Sequence, residues 1–83
     1  MAFNIAYKKS IGKDLKAIGK PEAKRILDKI EEELSARASA CPLLKGQFVG
    51  MRKLRIGDYR VIFTLADNDV LVLRIGHRKE IYN

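Results

Sequence analysis

The stretch of sequence that decides the fold is MRKLRIGDYRVIFTLADNDVLVLRIG, which spans residues 51–76. Apolar residues alternate with polar or charged ones along much of it, which is typical of strands that bury one face. It divides into strands at 51–56, 59–66 and 70–76, with turns at Gly57-Asp58 and at Asp67-Asn68-Asp69. Turns this short predict that the three strands form an antiparallel meander.

The chain before this stretch predicts one more strand and two helices. Residues 2–8 alternate in polarity and predict a strand. Apolar residues recur at helical spacing over 10–19 and 21–38, where Ser10 is expected to cap the first helix and Gly19 to end it. The sequence therefore predicts an α+β fold in the order β-α-α-β-β-β. Its two-helix hairpin packs on one face of a mainly antiparallel four-stranded sheet.

Length and charge limit the class of protein. Residues 1–83 are enough for a single domain, and 47% apolar residues are too many for a disordered chain. Lysine and arginine total 17 against 10 acidic residues, which gives a net charge of +7. Residues 45–83 hold eight of the basic residues, and five of the eight are arginines, whose planar fork matches phosphate oxygens. This distribution favours nucleic acid over an acidic membrane or protein as the partner.

Other features are expected to be absent. Cys41 is the single cysteine, so an internal disulfide is impossible, which fits a reducing cytoplasm. One cysteine and one histidine argue against a metal cluster. No apolar run follows Met1 and no stretch has the length of a membrane span, so neither a secretory leader nor a membrane partner is expected.

The alternation places basic side chains on the sheet face that the helices leave open. With the apolar residues of each strand turned inward, including Leu71, Leu73 and Ile75, one set of cations shares the outer surface. That set is Lys53, Arg55, Arg60, Arg74 and Arg78. Arg52 falls in phase with the apolar residues and is expected to extend toward solvent at a sheet edge. A phosphate-binding surface is favoured over a merely solvated face, because three strands agree.

Residues 50–82, GMRKLRIGDYRVIFTLADNDVLVLRIGHRKEIY, resemble the RelE family of bacterial and archaeal toxins. The marks are K-L-R-x-G-D-Y-R-V-I-F and an apolar strand that ends in I-G-H-R-K-x-x-Y. The step Leu44-Lys45-Gly46 is also similar to the family pattern. The resemblance implies an endoribonuclease that cuts messenger RNA in the ribosomal A site without metal or cofactor. It also implies a cognate antitoxin protein as partner.

The resemblance implies functional roles for individual residues of this chain. Lys53, Arg60, Arg78 and Tyr82 match the family's functional positions, and His77 stands where some members have lysine. Some members carry a second lysine two residues before the first, but this chain has Met51 there. The remaining cations near the site, expected to contact RNA, are Lys45, Arg52, Arg55 and Arg74.

RNA cleavage without metal needs a base for the 2′-hydroxyl, an acid for the leaving 5′-oxygen and cations for the phosphorane. His77 is the only histidine, which excludes a two-histidine mechanism. Arginine stays protonated, so Arg60 and Arg78 are assigned to the phosphate charge. Tyrosine titrates near ~10, and neighbouring arginines would lower that pKa. The hypothesis is Tyr82 as base, with Lys53 or His77 as acid.

Blander interpretations remain open for several of these residues. Tyr82 is also compatible with C-terminal packing, His77 with a backbone-bonded turn, and Lys45 with a turn border. Two other functions compete with the nuclease. One is a ParE-like toxin that inhibits DNA gyrase, and the other is a non-catalytic nucleic-acid-binding module.

Overall fold

The computed structural model describes residues 3–44, 46 and 50–77. The elements along the chain are β1 (Asn4–Tyr7), α1 (Ile11–Ile18), α2 (Lys20–Arg37), a short 3-10 helix (Ala38–Ala40), β2 (Arg52–Ile56), β3 (Tyr59–Ala66) and β4 (Asp69–His77). The predicted order β-α-α-β-β-β is confirmed, and each predicted boundary lies within two residues of the observed one.

The sheet is mixed, with strand order β1-β4-β3-β2. The meander of β2, β3 and β4 is antiparallel, whereas β1 pairs parallel to β4. A parallel pair needs a long crossover between its strands. Here the first part of that crossover is the two-helix hairpin, which packs on one face of the sheet and leaves the other, called the open face below, without a helix.

The joint between the two helices depends on one glycine. Gly19 ends α1 by donating its N–H to the carbonyl oxygen of Leu15, and its own carbonyl accepts from Ala23 of α2. Its φ of 100° lies in the region that residues with a Cβ rarely adopt. Ser10 is the N-cap residue of α1, but its hydroxyl makes no capping hydrogen bond, so that part of the prediction was wrong.

The core lies between α2 and the inner face of the sheet. Ile26, Ile30 and Leu34 form one stripe of α2 and are fully buried. They belong to the same apolar cluster as Phe63 and Val72, which are fully buried on β3 and β4. Because this burial fixes which side chains of each strand point inward, it also fixes which point outward.

One expectation about the inner face was wrong. Val70, Val72 and Ile75 are the buried residues of β4, whereas Leu71 is exposed and Leu73 half-buried. The pairing with β3 shifts between Ile62 and Phe63, which pair with Arg74 and Val72 and leave Leu73 as an extra residue. Such a β-bulge restores the inward direction of Ile75 after two successive residues that do not enter the core.

Two side-chain bonds tie the helices to the strands. Tyr7 of β1 donates its hydroxyl to the carboxylate of Glu31 in α2, at 2.9 Å. Burial raises the pKa of Tyr7 above its ordinary range, and the bond to Glu31 raises it further. On α1, the Asp14 carboxylate accepts the backbone N–H of Ile75 at 3.0 Å.

Neither helix among the described residues has the length and apolar character needed to cross a bilayer.

Truncation of Phe63 tests the packing of the core. Phe63→Ala is expected to lower the free energy of unfolding by about 3–5 kcal/mol, because it removes buried contacts and leaves a cavity. Urea denaturation followed by circular dichroism measures the change. Leu43→Ala is the matched control, since Leu43 is 59% exposed. Equal losses in the two variants would contradict the buried position of Phe63.

The raised pKa of Tyr7 predicts a loss of stability at alkaline pH. The folded chain holds this proton more tightly than the unfolded chain, whose tyrosines titrate near ~10. The stabilisation is therefore complete below about pH 10 and is lost as the pH rises through the folded-state pKa. The free energy of unfolding of Tyr7→Phe should fall less steeply above about pH 10 than that of the parent. Parallel pH profiles would rule out this role for Tyr7.

Candidate nucleic-acid interface

The open face carries two transverse rows of residues that cross the meander. In the first row Lys53, Ile62 and Arg74 are direct cross-strand partners, and in the second Arg55 pairs with Arg60 and Arg60 with Gly76. Five cations were predicted on this face. The prediction is confirmed for Lys53, Arg55, Arg60 and Arg74, whereas Arg78 lies outside the described residues. In this register none of the four lies opposite an acidic residue.

Arg55 and Arg60 face each other directly across β2 and β3. Opposed like charges destabilise a sheet, and an anion placed between them relieves the repulsion. The Nε of Arg55 donates to the carbonyl oxygen of Gly57 at 3.1 Å, which holds that side chain near the β2–β3 turn. The pair is therefore well suited to an anionic group such as a phosphate.

A cleft at the outer edge of β2, called the β2-edge cleft below, gathers these cations. It has a volume of about 430 Å³. Three of the predicted residues line it, Lys53, Arg55 and Arg60, and Arg37 of α2 adds a fourth basic side chain. Because the four come from two strands and a helix, the fold brings together charges that are far apart in the sequence.

Sequence reasoning did not assign Arg37 to the site. This residue ends α2, and its Nε donates to the carboxylate of Glu33 at 2.5 Å. That bond raises the pKa of the Arg37 guanidinium, so the side chain stays cationic. The only signal in the sequence was an arginine at a helix end just before the extended Cys41-Pro42 step, which is too common a pattern to mark a site.

The wall of the β2-edge cleft opposite the strands includes Cys41, which is buried. Burial raises the pKa of the Cys41 thiol, and the nearby Arg37 and Arg52 offset part of that effect. A thiol held protonated in this way is a poor nucleophile. Cys41 therefore acts as a small wall residue of the cleft.

Arg52 is held apart from the other cations by backbone carbonyls. Its Nη1 donates to the carbonyl oxygens of Ser39 at 3.2 Å and Cys41 at 2.7 Å. The expected inward phase of Arg52 is confirmed, since its cross-strand partner is the buried Phe63. These bonds attach the segment after α2 to the start of β2, which supports a positioning role more directly than contact with RNA.

His77 lies on the helix side of the sheet. It pairs with Tyr59 across β3 and β4, and the two rings meet edge to face with centroids 5.9 Å apart. The pair lines a cleft of about 320 Å³ together with Asp14 and Ile18 of α1. Lys53 and Arg60 project from the opposite face. His77 and these two residues are thus not brought together.

Three residues predicted for the site, Lys45, Arg78 and Tyr82, lie outside the described residues. Their assignments as RNA contact, phosphate ligand and general base stay predictions. Among the described residues, no three histidine, cysteine or acidic side chains form a group that could hold a metal ion.

Residues 5–82 match the family described as the ParE toxin of the type II toxin-antitoxin system, parDE. The chain belongs to this family, and it is a toxin of the RelE/ParE superfamily. The family resemblance inferred from residues 50–82 is therefore confirmed at that level. A comparison with curated protein sequences gave no match.

Solved structures share the fold. The toxin–antitoxin complex RelBE2 from Mycobacterium tuberculosis aligns with a TM-score of 0.79 at 21% identity, over 94% of this chain and 100% of that one. The archaeal RelE–RelB complex from Pyrococcus horikoshii aligns with a TM-score of 0.66 at 27% identity, over 96% and 99%. The chromosomal ParDE system from Pseudomonas aeruginosa aligns with a TM-score of 0.69 at 18% identity, over 92% and 96%. Both RelE and ParE proteins are thus among the structural relatives.

Substitution of Arg52 and of Arg55 distinguishes a side chain that stabilises the fold from one that binds RNA. Arg52→Met is expected to lower the free energy of unfolding by about 1–3 kcal/mol, because two carbonyl oxygens lose a charged donor. Arg55→Met is the matched control, since its side chain makes one bond at an exposed turn. It should lose less stability but weaken binding to single-stranded RNA. Urea denaturation and fluorescence anisotropy measure the two effects. A stronger loss of stability in Arg55→Met would contradict this division.

Proposed function

We propose that this toxin is a metal-independent endoribonuclease that cleaves messenger RNA, in the ribosomal A site, and so inhibits translation. The observation that carries the proposal is the convergence of Lys53, Arg55, Arg60 and Arg37 on the β2-edge cleft. A cleft that gathers four basic side chains is suited to an RNA phosphate, and the negative phosphorane gains more from those charges than the ground state does.

The chemistry assigned to the cleft is attack by a 2′-hydroxyl on the adjacent phosphate. The hydroxyl gives up its proton, its oxygen bonds to phosphorus, and the 5′-oxygen leaves with a proton from a general acid. Arg60 is assigned to the charge of the transferring phosphate. Tyr82 remains the proposed base, with Arg78 as a further phosphate ligand.

The position of His77 favours Lys53 as the acid. His77 packs against Tyr59 on the helix side, whereas Lys53 lines the same cleft as Arg60. Proton transfer requires the donor to be within hydrogen-bond reach of the leaving oxygen, directly or through one water molecule. Lys53 can meet this condition without movement of the sheet, and His77 would have to act from the opposite face.

The proposed protein partner is a cognate antitoxin. The Mycobacterium tuberculosis and Pyrococcus horikoshii relatives are both toxin–antitoxin complexes. The exposed side chain of Leu43, beside β2, offers an apolar contact for such a partner next to the site. The proposed place of action is the cytoplasm, where messenger RNA and ribosomes are found.

Inhibition of DNA gyrase is the second candidate function, because the matching family carries the ParE name. The two functions differ in what the chain does by itself to nucleic acid. A gyrase inhibitor binds an enzyme and leaves RNA intact. A nuclease breaks the RNA strand and leaves characteristic ends.

Expression of the chain alone, followed by mapping of RNA ends, tests the proposed function. We expect growth arrest with new messenger RNA ends that carry a 2′,3′-cyclic phosphate, and the same cleavage by purified protein on programmed ribosomes in EDTA. DNA supercoiling by purified gyrase serves as the parallel assay. Intact messenger RNA together with inhibited gyrase would replace the nuclease by the second candidate.

Two variants test the assignment of the acid. Lys53→Met should slow cleavage by about 100-fold or more, because it removes the proton donor and one charge of the cleft. His77→Gln is the matched control, and it should cleave within a few-fold of the parent rate. Single-turnover cleavage of ribosome-bound messenger RNA measures both. A large loss in His77→Gln with little loss in Lys53→Met would reverse the assignment.

A further inference from the structure

A second cleft crosses the open face between β1 and β2, and it is called the transverse cleft below. Its volume is about 260 Å³. The described residues that line it are Lys8, Met51, Ile62, Leu73 and Arg74. Aliphatic and thioether groups thus form its interior. Lys8, which follows β1, and Arg74 of β4 each contribute one cation.

The bulge in β4 supplies one wall of this cleft. Leu73 is the extra residue, so it stands beside Arg74 without entering the helix-side core. A regular strand would have placed only one of these two residues on the open face. Bulges are over-represented beside active sites, where they re-aim side chains.

The centre of the open face is apolar and nearly inaccessible to solvent. Ile62 is only 3% exposed although it does not belong to the helix-side core. It lies between Lys53 and Arg74 in the first transverse row, where the aliphatic stems of both residues can cover it. An apolar centre with cations on both sides matches a flat aromatic ring that is attached to an anionic backbone.

We propose that the transverse cleft binds a nucleobase of single-stranded RNA, next to the phosphate held in the β2-edge cleft. This inference rests on the proposed function. The Met51 thioether and the carbon atoms of Leu73 pack against the ring, since sulfur makes favourable contacts with aromatic rings. Lys8 and Arg74 hold the flanking backbone. Contact with the face of a base tolerates any of the four bases.

The two clefts are close enough for one RNA strand. Lys53 lines the β2-edge cleft, and its direct cross-strand partner Ile62 lines the transverse cleft. Neighbouring strands are about 4.8 Å apart, so these two lining residues are about one strand spacing apart. A phosphate alone would make no use of the apolar interior. The pairing of clefts therefore points to a nucleotide unit with its base.

The test measures binding to short RNA oligonucleotides in which 2′-deoxy sugars block cleavage. A matched set carries one abasic sugar at each position in turn. For the parent protein, one abasic position should weaken binding about tenfold, with the phosphates unchanged. In Met51→Ala the intact oligonucleotide should bind about as weakly as the abasic one binds the parent, and the abasic substitution should then have little further effect.

Two more variants complete the design. Deletion of Leu73 removes the extra residue while the pairs Ile62–Arg74 and Phe63–Val72 stay in register, and it should also abolish the abasic effect. Leu71→Ala is the matched control, because Leu71 is 39% exposed on the same face of β4 and does not line the cleft. It should keep the full effect. Circular dichroism confirms that each variant is folded.

Cleavage of natural messenger RNA is measured separately and tests only the proposed function. Equal affinity of the parent for intact and abasic oligonucleotides would overturn the inference, and so would an abasic effect that survives in Met51→Ala. Absence of any RNA binding would overturn it as well. In those cases the expected occupant of the transverse cleft would be an apolar side chain of a protein partner or of a second copy of this chain.

Discussion

The burial of only one face of the sheet is the constraint on which the rest of this structure depends. The apolar stripe of α2 packs against Phe63, Val61 and Val72, and strand geometry then sends the neighbours of these residues to the other side. Arg60 and Ile62 face outward because Val61 and Phe63 face inward. The chemistry of the open face is thus a consequence of core packing. A shift of the strand register by one residue would turn the arginines toward the core.

The open face combines two surfaces with different physical character. Its second row places Arg55 directly opposite Arg60, and like charges in that position destabilise a sheet. Its centre is apolar and nearly inaccessible at Ile62. Because both surfaces are built on paired strands, their spacing is set by the sheet and does not depend on a loop. Arg52 contributes by holding the segment after α2 beside the strand that carries Lys53.

The sequence predicted the elements because the period of the apolar residues is clear in α2, β2 and β3. It failed in β4, where VLVL is apolar in both phases and only pairing with β3 decides which phase is buried. The cationic rows were predictable from alternation, because charges mark the outer phase. The convergence of Arg37 with Lys53 was not, since it depends on how a helix end meets a strand edge. Likewise, the edge-to-face contact of His77 with Tyr59 can be recognised only when β3 and β4 are paired.

The carboxylate of Asp14 has a consequence for association. β1 pairs with β4 only as far as Val72, so the N–H of Ile75 would stand at an edge of the sheet. Asp14 accepts that N–H, and a negative side chain then occupies the line along which a foreign strand would have to approach. Unprotected edges are templates for aggregation. This helix residue therefore withholds one backbone donor of β4, at the point where β1 no longer pairs, from any strand added from outside.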